Sequence, residues 1–186
     1  MRALIAVLTC VVIFLTGCAD QNAPIDKALK LRNEIESSNG CAFHTTVTAD
    51  YGEKIYVFSM DCETDKEGNL SFTVTKPDTI DGVTGKISPS GGALTFDDQV
   101  LAFQTIADGA VSPVTAPWIL IKTLKSGYFK GCAENENGFE ISADDSYGDG
   151  ALHLQINVKD NLPISGEIFW NGRRVLTMLV EEFRFL

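Results

Sequence analysis

Histidine is scarce in this chain: only His44 and His153 occur among 186 residues. Neither stands beside a serine, cysteine or carboxylate in the pattern of a catalytic elbow, and both fall on the polar side of an alternating segment, where a solvated role is expected. Cys-x-x-Cys and neighbouring histidine pairs are missing, so the ligand spacing of a zinc site is not there. No apolar run approaches the roughly 20 residues that a membrane-spanning helix needs. Basic charge is also short, with 15 Lys and Arg against 25 Asp and Glu and a net charge of −10. Such a surface repels phosphate backbones and anionic lipid head groups, which argues against nucleic acid as a partner. With no catalytic residue, metal or cofactor indicated, the expectation is a protein that is not an enzyme.

What the sequence does have begins at its N-terminus. Residues 1–17, MRALIAVLTCVVIFLTG, carry one charge at Arg2, then an apolar stretch and a small residue at the end. That is the layout of a secretory signal, removed before folding is considered. Leu15-Thr16-Gly17-Cys18 closes the stretch and resembles the bacterial lipobox, in which the cysteine thiol receives diacylglycerol and becomes the new N-terminus. Cys18 is therefore the expected lipidation site. Several acyl chains anchor firmly, because each buried methylene contributes about 0.8 kcal/mol. The expected address is extracytoplasmic, on the outer face of the cytoplasmic membrane. Removing residues 1–17 takes away Arg2 and leaves 169 residues at a net charge of −11, a length suited to one domain. Residues 18–24 read as a lipidated tether and 25–186 as that domain.

Helical spacing of Ile25, Ala28, Leu29 and Ile35, opened by Pro24 and stopped by Gly40, predicts one amphipathic helix packed on a sheet. From Cys41 the period changes to two, broken at Tyr51-Gly52, residues 66–69, residues 88–92 and Asp97-Asp98, as antiparallel strands would be. A turn centred on Tyr51-Gly52 pairs Val47 with Tyr56, Thr45 with Phe58 and Phe43 with Met60, and sets Cys41 opposite Cys62. In an exported protein that alignment makes a cross-strand disulfide reasonable and leaves Cys132 a thiol. Closing that loop of about 20 residues would stabilise by about 3 kcal/mol. Residues 114–124 are apolar enough for a second helix that covers the sheet. Strands are expected at residues 128–133, 139–143 and 151–158. A closing hairpin follows around Asn171-Gly172, with Ile168 beside Val175 and Ile164 beside Leu179. Leu176, Met178 and Val180 then fall on that hairpin's other face.

Two further patterns invite a site and fail. Residues 145–150, DSYGDG, mimic the start of a calcium loop, but Tyr147 and Ile156 stand where oxygen ligands belong, so a solvated turn is expected. Asp97-Asp98 and Glu181-Glu182 are neighbouring carboxylates, yet adjacent strand residues point to opposite faces and cannot share a proton. Phe43, Val47, Tyr56, Phe58, Met60, Phe72, Trp118 and Trp170 are the side chains placed to line an apolar cavity.

A lipobox, one helix, a long antiparallel meander, an inserted helix and a final hairpin, together with Lys76-Pro77-Asp78-Thr79-Ile80 and the GGALTF segment at residues 91–96, resemble the LolA/LolB superfamily of lipoprotein carriers and receptors. Residues 108–113 leading into Trp118 are similar to the germination-type lipoproteins of Gram-positive anaerobes within it. The resemblance implies an α+β fold, a strongly curved antiparallel sheet forming an incomplete barrel, covered by an N-terminal helix and an inserted helix. It also implies a hydrophobic ligand, such as an acyl chain, in the half-barrel. This chain departs from the carriers in being lipid-anchored, acidic and cysteine-bearing, which brings it nearer a receptor or a scaffold. The alternative function is accordingly a tethered scaffold for an exported protein or cell-envelope enzyme.

Overall fold

The computed structural model describes residues 23–88 and 111–186. The expected signal, Cys18, most of the tether, GGALTF and Asp97-Asp98 lie outside the described residues. Among the described residues nine antiparallel strands form one sheet: β1 (Gly40–Asp50), β2 (Ile55–Asp65), β3 (Leu70–Lys76), β4 (Thr84–Ile87), β5 (Tyr128–Asn135), β6 (Gly138–Asp144), β7 (His153–Lys159), β8 (Leu162–Trp170) and β9 (Arg173–Phe185). Their order is β4-β3-β2-β1-β9-β8-β7-β6-β5. Two meanders are thus joined through the β1–β9 pair, and among the described residues the sheet is open, ending at β4 and β5. With two covering helices this is the α+β incomplete barrel that the order of elements implied.

Helix α1 (Ala23–Ser37) buries Ala28, Leu31 and Ile35, a stripe at the spacing of one helix face. Leu29 is exposed and Leu31 takes the inward place expected of it. Helix α2 (Ala116–Ser126) is buried at seven of its eleven positions, so it needs cover on most sides. It finds room because Gly166 in β8 has no side chain: a Cβ there would lie 3.4 Å from Leu120 Cδ1 and 3.2 Å from Met178 Cε. Arg32 ties the helices together. Its Nε donates to Leu124 O at 2.8 Å and its Nη2 to Gly127 O at 2.7 Å, while the guanidinium lies 3.8 Å from the centre of the Phe129 ring.

The first hairpin departs from its expected register by two residues. Asp50 Oδ1 accepts from Gly52 N–H at 2.7 Å, Gly52 sits at φ +89°, and Tyr51 N–H donates to Lys54 O at 2.9 Å. The loop therefore spans residues 51–54, and the pairs are Val47 with Phe58, Thr45 with Met60, Phe43 with Cys62 and Cys41 with Thr64. A shift of two preserves which face each residue takes but moves Cys41 and Cys62 onto a diagonal. Diagonal neighbours stand about 7–8 Å apart, too far for a disulfide. The expected Cys41–Cys62 bridge is absent, and Cys41, Cys62 and Cys132 are free thiols.

In the last hairpin Trp170 pairs with Arg173, but a bulge beyond Phe169 sets Ile168 against Leu176 rather than Val175. Ser165, not Ile164, pairs with Leu179. The extra residue turns Leu176, Met178 and Val180 inward with Ile168, and all four are buried. The two-faced apolar hairpin expected from strict alternation is thereby resolved into one buried face.

Candidate functional site

The inner face of the sheet and the two helices close one continuous apolar cluster that includes Phe43, Val47, Met60 and Phe72. The Phe43 ring stacks on Phe183 with centroids 5.6 Å apart. Of the eight expected cavity residues these four are core. Tyr56, 43% exposed near the hairpin tip, stands clear of the core, and Phe58 is half-buried beside it. Trp170 packs half-buried on the rim of the cluster. Trp118 lies at the edge of α2 with its Nε1–H donated to Gly68 O at 3.0 Å. It borders a cleft of about 390 Å³ with Ile121, Lys122 and Lys125. The eight residues therefore do not surround one space.

The larger opening lies on the other face. A groove of about 800 Å³ runs over β4, β3, β2, β1 and the end of β9. Phe43, Cys62, Phe72 and Gly85 contribute to its floor while the Phe43, Cys62 and Phe72 side chains are buried on the core side. His44, Asp61, Glu63, Thr73, Lys86, Glu182 and Arg184 stand around it. His44 Nδ1 lies 2.7 Å from Asp61 Oδ1 across the β1–β2 pair. On its other side His44 pairs with Glu181, and a bulge follows before Ala42 meets Arg184. The bulged strand holds Glu182 at φ +53°, an uncommon conformation for a residue with a side chain. The bulge breaks the alternation expected of Glu181 and Glu182, and both are exposed.

Elsewhere on the outer face three pairs are matched across strands, Arg174 with Glu167 at 2.7 Å, Arg173 with Asp50 at 3.1 Å and Lys130 with Asp144 at 2.9 Å, while Glu140 of β6 has no ion pair with another described residue. Around the groove, Glu63, Lys86, Glu182 and Arg184 form no ion pair with another described residue. Burial pushes the Cys41 and Cys62 thiols up from their ordinary values, which keeps both protonated.

The second histidine also has partners that its sequence neighbours do not show. His153 Nδ1 lies 2.9 Å from Asp144 Oδ1, and His153 Nε2 lies 3.4 Å from Ser142 Oγ. Both partners sit on β6, brought beside β7 by the register that sets Asp144 opposite His153. Both histidines are on the outer face as expected, but each is engaged with a carboxylate rather than simply solvated. Asp145, at the start of the DSYGDG turn, spends Oδ1 on Leu152 N–H at 2.7 Å and Oδ2 on Lys122 Nζ at 3.2 Å. Among the described residues no group of three or more His, Cys, Asp or Glu is placed to hold a metal ion. No described helix is long and apolar enough to cross a membrane.

No family model matches the chain, and no curated protein matches it. Solved structures that it is similar to include a LolA superfamily protein from Nitrosomonas europaea, at 10% identity and a TM-score of 0.40, over 87% of this chain and 93% of that one. An uncharacterised conserved protein from Thermus thermophilus is similar at 15% identity and a TM-score of 0.45, over 86% and 87%. MucB of Pseudomonas aeruginosa, in its structure with MucA, is similar at 8% identity and a TM-score of 0.36, over 86% of this chain and 56% of that one. The likeness extends to the fold alone.

Proposed function

We propose that this protein is an extracytoplasmic binding domain, tethered by lipid on Cys18, that holds an exported polypeptide in extended form along the outer face of β1–β4 and the end of β9. The observation that carries the reading is the groove of about 800 Å³, whose rim keeps charges of both signs without partners among the described residues while the apolar face of the sheet is filled. Opposite charges paired across strands stabilise a sheet, as Lys130 with Asp144 and Arg174 with Glu167 do. Unmatched Glu63, Glu182, Lys86 and Arg184 offer a partner both acceptors and donors, the inventory that a peptide backbone with mixed side chains satisfies. A photo-crosslinking amino acid placed at Thr73, in the groove, is expected to capture an exported protein in intact cells, and one at Gln155 is not. Lys86→Glu with Arg184→Glu should abolish the adduct. Equal capture from both positions, or none from Thr73, rejects the reading.

The cleft beside Trp118 favours a second reading, a hydrophobic ligand. Its volume of about 390 Å³ lies within the range of small-molecule sites, and an indole fixed by its hydrogen bond to Gly68 O makes a rigid apolar wall. Native mass spectrometry with added lipid extract would then show a bound species that Trp118→Ala loses.

A further inference from the structure

We infer that Ser142, His153 and Asp144 form an acyl-transfer centre on the outer face of β6 and β7 that cleaves small, unhindered carboxylic esters. The inference is independent of the binding reading, because the two sites share no residue.

The order of contacts is that of a nucleophile, a base and a group that orients the base. Asp144 is held from two sides, with Oδ2 on Lys130 Nζ at 2.9 Å and Oδ1 on His153 Nδ1 at 2.9 Å. A carboxylate on Nδ1 fixes the hydrogen there and leaves the Nε2 lone pair free to accept. Ser142 Oγ, 3.4 Å from Nε2, supplies the O–H; that is longer than the roughly 2.6–3.2 Å of a formed nucleophile–base bond, and substrate binding would have to close it. Phe169, with its ring centroid 6.0 Å from that of His153, limits the motion of the imidazole.

Two neighbours of Ser142 complete the site. On one side it pairs with Gln155, whose side chain makes no hydrogen bond to another described residue and so keeps a carboxamide N–H for an oxyanion. On the other side it pairs with Gly131, where an added Cβ would meet nothing within 4 Å. That open space above the hydroxyl admits a substrate. Strand pairing spends the backbone N–H groups that commonly form an oxyanion hole, so a side-chain donor takes their place and turnover is slow. No enclosing walls select a long acyl chain, hence the restriction to small esters.

In the reaction Ser142 Oγ attacks the ester carbonyl carbon and its proton passes to His153 Nε2. The bond to the alcohol oxygen breaks, and the alcohol leaves with that proton. A water, deprotonated by His153, then attacks the acyl-serine, releasing the acid and restoring the Ser142 hydroxyl.

The test incubates the purified full chain in detergent with a fluorophosphonate probe and, separately, with p-nitrophenyl acetate. Peptide mapping should place the phosphonyl adduct on Ser142. The protein-dependent ester hydrolysis should fall at least about tenfold in both Ser142→Ala and His153→Gln, and Gln155→Ala should lower kcat by about tenfold with KM held. Hydrolysis that survives Ser142→Ala but disappears in His153→Gln would mean bare imidazole catalysis and would overturn the proposal. So would an adduct on any other residue or no adduct at all, a result read on the native protein that does not depend on whether a variant folds.

Discussion

Replacing Arg32 tests how the two covering helices are held on the sheet. Its guanidinium makes two short hydrogen bonds, to Leu124 O and Gly127 O, and a longer one of 3.4 Å to Thr123 O. Thr123 O also accepts from Gly127 N–H at 2.8 Å, so it keeps a partner when Arg32 is removed. The loss therefore falls on two carbonyls at the C-terminal end of α2, where a cation is also favoured by the helix dipole. A hydrogen bond from a charged donor contributes roughly 1.5–3 kcal/mol when buried, less where water can replace it. The contact with the Phe129 ring adds about 0.5–1 kcal/mol. Since Arg32 is only half-buried, Arg32→Met, which keeps the apolar stem, should cost about 2–4 kcal/mol. Arg32→Lys should recover less than half of that, because one ammonium cannot reproduce the fork that spans two carbonyls. Equilibrium urea unfolding should show lower midpoints with unchanged slope. For a domain of this size that corresponds to a fall in Tm of roughly 5–15 °C. An Arg32→Met midpoint within about 0.5 kcal/mol of the native value, or full rescue by lysine, would refute the reasoning.

Gly85→Ala should destabilise by about 1–3 kcal/mol, since the new Cβ would stand 2.5 Å from Cζ of the buried Phe72 ring; a thermal melt that does not move would mean the ring shifts freely. Non-reducing peptide mapping should recover Cys41, Cys62 and Cys132 as thiols. Native alkylation should reach half-buried Cys132 well before the other two, and recovery of a Cys41–Cys62 bridged peptide would restore the register centred on Tyr51-Gly52. Burial pushes the Asp144 carboxyl up, but the hydrogen bonds from His153 and Lys130 outweigh it and hold it below the usual range. A lowered folded value means that this group's stabilisation is complete above the unfolded pKa of about 4 and fades as pH falls through the folded value. The stability gap between the native protein and Asp144→Asn should therefore narrow on acidification in pH-dependent unfolding curves, and a gap that widens there would contradict the assignment.

The periodic parts of this fold were legible from residue spacing and turn residues alone. Alternation in residues 151–158 and the Asn171-Gly172 turn led to β7, which begins at His153, and to β8 and β9, and the apolar segment after Pro113 led to α2. Register was not legible, because it depends on how many residues a loop takes. A four-residue loop closed by Asp50 and Gly52 reads almost like a two-residue one, and the difference of two moved the Cys41–Cys62 pair out of bonding range while leaving every apolar residue on its proper face. Faces are robust to an even shift and pairs are not.

Bulges did the reverse. One extra residue near Val175 turned Leu176, Met178 and Val180 inward, and one at Glu182 left two successive carboxylates in solvent beside His44. Nothing in the local sequence announces either, since a bulge is selected by the fit of a strand to two neighbours at once. The chemistry of the outer face follows from such placements: His44 meets Asp61 across 17 residues, and His153 meets Asp144 across nine and Ser142 across eleven. Neighbour-based reading of each histidine could only find them solvated. Of the residues singled out to line a cavity, Phe43, Val47, Met60 and Phe72 face inward, but inwardness alone does not distinguish a lined space from a filled one. That distinction is set by α1 and α2, whose Leu31, Leu120 and Leu124 occupy the volume that a ligand would need. Among the described residues, a sheet whose apolar face is packed on its own helices keeps its polar face open for recognition. The unmatched charges around the β1–β4 groove and the Ser142–His153–Asp144 chain both lie there.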